Sequence, residues 1–124
     1  MADTPEQQLD DMASAVADAL GLLQQVVHQL PIPIKLPFPE QATPHEEFTA
    51  SLDRTRTLIE DEPIPPHAVA HLDQAVLGIL TAMDLIRIAI NVGIDWRYDA
   101  VFMTCTTAIM NMRLARMIVD GVVE

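Results

Sequence analysis

Prolines punctuate this chain so sharply that they dictate where helices can start and stop. All nine sit at Pro5, in the stretch from Pro31 to Pro44, or in the corner Pro63-Ile64-Pro65-Pro66. Proline lacks a backbone N–H and clashes with the preceding turn, so a helix can begin on one but not run through it. Between these points apolar residues recur at steps of three and four, the spacing of an amphipathic helix. No strand-like alternation competes.

The first segment opens with Thr4-Pro5-Glu6-Gln7, a capping box with proline at the first helical position. Leu9, Met12, Val16, Ala19, Leu23, Val26 and Leu30 then form one seam, widened by Ala13, Leu20 and Val27. The pattern predicts a helix over residues 5–30. Residues 31–43 carry four prolines interleaved with Ile32, Ile34, Leu36 and Phe38, which favours an extended strap lying along the fold with those side chains packed down. A second box, Thr43-Pro44-His45-Glu46, opens a shorter helix over 44–61, with Phe48, Leu52, Thr55 and Ile59 inward.

The third helix is expected over 66–92. Its seam is Val69, Leu72, Val76, Ile79, Met83, Ile86 and Ile90, and beside it run Ala68, Ala75, Ala82 and Ala89, small enough to let a neighbour approach closely. Gly93 suits the end of this helix. Asp95 is placed to cap a fourth over 96–120, with Tyr98, Val101, Cys105, Ala108, Met112, Ala115 and Val119 as its seam and Gly121 at its end. Seven-residue repeats imply shallow crossing angles. The expected fold is all-α: one four-helix bundle-like domain over 1–124, with a proline-rich extended crossover between helices 1 and 2.

A chain of 124 residues, half of them hydrophobic, can bury a core without staples. Its formal charge of -11 excludes recognition of nucleic acid through phosphates and of an anionic membrane surface. The apolar run from Ala75 to Ile94 is about long enough to span a bilayer, but Asp84 and Arg87 interrupt it, three apart and able to pair on one helix face. A core helix of a soluble bundle is the reading adopted. The acidic start is unlike a basic secretory leader, and the lone Cys105 fits a reducing compartment, so a cytoplasmic protein is expected.

Residues able to carry chemistry are few. His67 and His71, spaced i,i+4, are weak metal candidates without a matching third ligand. Cys105 falls on a seam, where a thiol is a small inert hydrophobe. There is no phosphate loop, nucleophile elbow or paired-carboxylate motif, and neither an enzyme nor a cofactor is expected. The informative surplus is apolar. Met103, Met110 and Met117 recur every seven residues on the side of helix four away from its seam, bordered by Phe102 and Ile109, and helix three carries Leu77, Leu80, Leu85 and Ile88 outside its own seam. Two helices apolar all round cannot both be central in a small bundle, so a subunit interface is expected. Trp96, Arg97 and Tyr98 add residue types common at interface hot spots. The acids, Glu60, Asp61 and Glu62 among them, read first as a solvated face that keeps an apolar protein soluble; that this triplet opposes the dipole at the end of helix two also points to an acidic docking surface for a basic partner. The sequence therefore reads as a non-enzymatic protein-binding module of inhibitor, immunity or chaperone type, binding a protein partner and forming a homo-oligomer. The alternative is a bundle that binds a small molecule or metal through His67, His71, Asp84, Arg87 and Asn91 on helix three.

Overall fold

The computed structural model of the chain describes residues 4–37 and 44–122, which form four helices. These are α1 (Pro5–His28), α2 (His45–Glu60), α3 (Pro66–Val92) and α4 (Arg97–Val119). The fold is an all-α bundle. The Thr4 capping box is complete: the hydroxyl accepts from the Gln7 amide at 3.2 Å, and the Gln7 side chain accepts from the Thr4 amide at 3.2 Å.

Helix α3 is the hub and packs against each of the other three. Helix α4 lies alongside α3 and α1, while α2 rests on the flank of α3. Small residues set the α3–α4 approach. A Cβ added to Gly78 would lie 3.4 Å from the Ala108 Cβ, and Ala75, Ala82 and Ala115 are fully buried. The strap folds back along α1. The Ile34 amide donates to the Val27 carbonyl at 3.0 Å, and Gln24 Nε2 donates to the Leu36 carbonyl at 2.8 Å. These bonds seat Ile34 and Leu36 in the core, whereas Ile32 is exposed and Phe38 lies outside the described residues. A strap peptide next to a helix needs its polar groups answered, and side chains of α1 and of the corner before α3 supply partners.

Several expectations are corrected. Helix α2 begins after Pro44 without a side-chain cap, and Thr43 lies outside the described residues. Asp95 does not cap α4. It adopts a φ of 39°, a left-handed conformation that turns the chain after Gly93, and Trp96 takes the N-cap position without a side-chain bond. Ala13 is exposed. Asp84 and Arg87 are both exposed and form no ion pair with each other.

The largest revision concerns the seam of α3. Leu72, Val76 and Ile79 are fully buried as expected, but Val69, Met83 and Ile86 are half-buried and Ile90 is 64% exposed. The alanine row is buried instead, down to Ala89. The cause is the length of α2. Arg56 pairs with Asp73 at 2.7 Å across the antiparallel α2–α3 contact, which fixes the register. Counting back from that pair, the 16 residues of α2 run out beside about residue 84 of the 27-residue α3. Beyond it, α3 buries only the stripe that faces α4 and α1.

Candidate protein-binding surface

The contacts of Gly78 define which side of α3 and α4 is which. Gly78 faces Ala108 and Thr104. Consecutive helical residues diverge by roughly 100°, so the neighbours of Gly78 leave the contact in opposite directions. Ile79 turns into the core and is fully buried, while Leu77 turns outward. On α4, Ile109 turns toward α1 and lines a shared depression with Ala15 and Asp18. Thr107 therefore turns the other way, away from α1.

Two stripes follow from this geometry. On α3, Leu77, Thr81, Asp84 and Ile88 are spaced i, i+4, i+7 and i+11, and all are exposed. On α4, Met103, Thr107, Met110 and Leu114 have the same spacing and are also exposed. Both stripes lie on the side opposite α1, with α2 along the other flank of α3, so together they make one continuous outer face of the α3–α4 pair. Met103 is 71% exposed and Met110 57%, well above what a buried seam would show. The sequence pattern indicated Met103 and Met110 but not Thr107 or Leu114, because only the Gly78 contact reveals which way α4 is rotated.

The other residues expected on this surface separate. Met117 is 39% exposed and leans into a groove of about 380 Å³ with Leu22, Val26 and Met112. Phe102 turns toward α1, where it stacks at a tilt on Tyr98, ring centroids 5.0 Å apart, and lines an open depression of about 500 Å³ with Asp11, Asp18 and Cys105. Tyr98 is half-buried, and its hydroxyl donates to Asp11 Oδ2 at 3.2 Å, tying α4 to α1. Trp96 is exposed, with the Arg97 guanidinium 4.6 Å over its ring. Arg97 is half-buried and donates to the Gly93 carbonyl at 3.1 Å, while its buried Nε has no hydrogen-bond partner among the described residues. Of this trio only Trp96 is largely exposed.

The acidic triplet also divides. Glu60 and Asp61 are exposed, but Glu62 is buried and accepts the Ile32 amide at 3.0 Å. It fixes the strap and is not a free surface charge. Burial of a carboxylate is tolerable when it accepts a backbone N–H, a charge-assisted bond of the stronger kind.

The five polar groups of α3 do not converge on one site, because the two histidines lie at the other end of the helix from Asp84, Arg87 and Asn91. His67 and Asn91 are 24 residues apart on one helix, which places them roughly 36 Å apart along its axis. Asp84, Arg87 and Asn91 share a shallow depression of about 410 Å³ with Ile88 and Val92. His67 is exposed at the opposite end. His71 Nδ1 lies 2.7 Å from Asn111 Oδ1, and Asn111 Nδ2 donates to the Thr107 carbonyl at 3.0 Å. With that amide group committed, Oδ1 is the acceptor and His71 Nδ1 carries the proton. Among the described residues no group of three or more His, Cys, Asp or Glu is placed to hold a metal ion. Cys105 is buried, and desolvation, with a smaller contribution from Asp18, pushes its pKa up to about 11. A thiol so raised is a poor nucleophile at neutral pH.

By length and composition α3 could cross a membrane, and 28% of its most apolar window is buried. The unburied remainder includes the outer stripe just described. Comparison of the chain with protein-family models, with curated proteins and with solved structures found no match.

Proposed function

We propose that this protein is a non-enzymatic protein-binding module whose contact surface is the outer face of α3 and α4. The observation that carries this reading is the exposure of Met103 and Met110 on a helix whose other side, at Val101, Cys105, Ala108 and Met112, is packed. Contiguous exposed apolar side chains on a small domain mark interaction surfaces. Methionine suits such a surface because its flexible, polarisable side chain adapts to the shape it meets. The exposed acids, Glu60 and Asp61 on α2 and Asp10, Asp11 and Asp18 on α1, lie on other elements and serve solubility or steering.

Replacing Met110 by a photo-crosslinking amino acid tests the reading in cells that make the protein. Adducts to polypeptide are expected at position 110 and not at Arg54, an exposed residue of α2. A chain that gives no polypeptide adduct from position 110 is not a protein-binding module of this kind.

A further inference from the structure

We infer that the occupant of the outer α3–α4 face is a second copy of this chain, packed face to face about a two-fold axis. The inference rests on the protein-binding reading and names its partner. Charge is the first argument. The chain carries -11, yet the two outer stripes hold one formal charge between them, Asp84, and exposed Arg87 lies beside it in the same depression. Two equally acidic molecules repel over most of their surfaces, and this face is where they can meet without opposing rows of carboxylates. A basic partner would find its complement elsewhere, on the exposed acids of α1 and at the end of α2.

Area is the second argument. The 23 residues of α4 span roughly 34 Å, and two adjacent helices are roughly 20 Å across. Used end to end, the outer face of the two helices thus offers on the order of 700 Å² per copy, near the ~800 Å² per partner of a stable interface, and the two stripes, each about 17 Å long, cover about half of it. Its chemistry suits self-association as well. The stripes alternate Leu, Met and Ile with the small hydroxyls of Thr81 and Thr107, so a layer of two antiparallel helices can lie on its own copy and complete a new four-helix core.

The position of Asp84 selects the arrangement. Asp84 lies about five residues from the middle of α3 (Pro66–Val92). If the contact runs the full length of α3, with each α3 antiparallel to its mate about an axis at the middle of the helix, the two Asp84 side chains fall on opposite sides of it. Their separation along the helices is then about 15 Å, beyond the reach of unscreened repulsion at physiological salt.

Light scattering after size exclusion, at tens of micromolar, reads the outcome. The full chain of 13.7 kDa should elute at twice that mass. Met110→Glu on α4 and Leu77→Glu on α3 should each raise the dimer Kd roughly a hundredfold or more, because each buries an unpaired charge, and each should keep full helical circular dichroism. Two variants on different helices keep the test decisive if either one folds poorly. A wild-type monomer overturns the dimer; if position 110 still crosslinks other polypeptides, the protein-binding reading stands without it. A dimer that survives both substitutions uses another face and also overturns the inference. Co-sedimentation of monomeric wild type with neutral phosphatidylcholine vesicles, lost in Met110→Glu, assigns the face to lipid and overturns both readings.

Discussion

Met110 and Met112 sit two residues apart on α4, yet one is 57% exposed and the other fully buried. The two sides of this helix have nearly the same chemistry and opposite surroundings. The inner side meets α1 and α3, and Met112 belongs to the same buried core as Leu72 and Ile79, beside Leu22 and Val26 of α1. The outer side packs against no other helix among the described residues. Apolarity on this helix therefore does not by itself specify a core. What specifies it is where the small residues Gly78, Ala108 and Ala115 allow the neighbouring backbone to come close.

The same charge placed on each side of α4 should have opposite consequences. Met112→Glu should unfold the protein. An unpaired charge in a dry core costs on the order of several kcal/mol, against a total stability of about 5–15 kcal/mol for a domain of this size. Loss of helical circular dichroism at room temperature is the expected readout. Met112→Ala, which leaves only a cavity, should destabilise by about 2–5 kcal/mol in a denaturant titration.

The next effect tests the close approach that sets the inner side. Gly78→Val adds a side chain where a Cβ already lies 3.4 Å from Ala108 Cβ and 3.6 Å from the Thr104 carbonyl oxygen, and it should cost about 1–3 kcal/mol. Gly21 is the control. It lies within α1 with nothing within 4 Å of its would-be Cβ, so Gly21→Ala should stabilise by about 0.5–1 kcal/mol by restricting the unfolded chain and favouring helix. Equal effects at the two glycines would show that α3 and α4 are not packed as closely as the fold requires.

Cys105 reports the dryness of the inner side through pH. Desolvation first, and the charge of Asp18 second, raise its pKa from 9.0 to about 11. The unfolded thiol ionises at the lower value, so the sign is fixed. Stability associated with this group is fully present below pH 9 and falls as the pH rises through about 11, because there the unfolded state releases a proton that the folded state retains. Cys105→Ser should flatten that part of the stability profile. In the folded protein near neutral pH, modification by a thiol reagent should be slow and should track unfolding.

Much of this fold was legible because proline and capping chemistry act locally. Thr4-Pro5-Glu6-Gln7 and the Pro65-Pro66 corner place the starts of α1 and α3 where the structure has them. The inner side of α4 was legible for a related reason: Val101, Cys105, Ala108, Met112 and Ala115 are all buried. What the residues of α3 could not reveal was the length of its neighbour. Ile90 repeats the spacing of Leu72 and Ile79, but α2 stops short of it. Glu62 was misplaced because its burial depends on the Ile32 amide, 30 residues away in sequence. Phe102 was misplaced because a helical wheel gives an angle without saying which side α1 will occupy. Spacing along one helix carries its periodicity; burial depends on partners whose positions are set by non-local packing.

The smallest effect on folding, and the complement to Met112→Glu, belongs to Met110→Glu. In the isolated chain the side chain already faces water, so the charge removes little packing and its effect on the stability of the monomer should stay within about 0.5 kcal/mol. Its consequence lies in assembly. A protein stabilised by a second copy melts at a temperature that rises with protein concentration, because the dimer binds the folded state and not the unfolded one. The wild-type midpoint should therefore climb over a hundredfold concentration series, while that of Met110→Glu should stay flat and meet the wild-type value at the dilute end. If Met110→Glu instead loses stability at the dilute end as Met112→Glu does, then α4 is packed on both sides within one chain and the contrast between its faces does not hold.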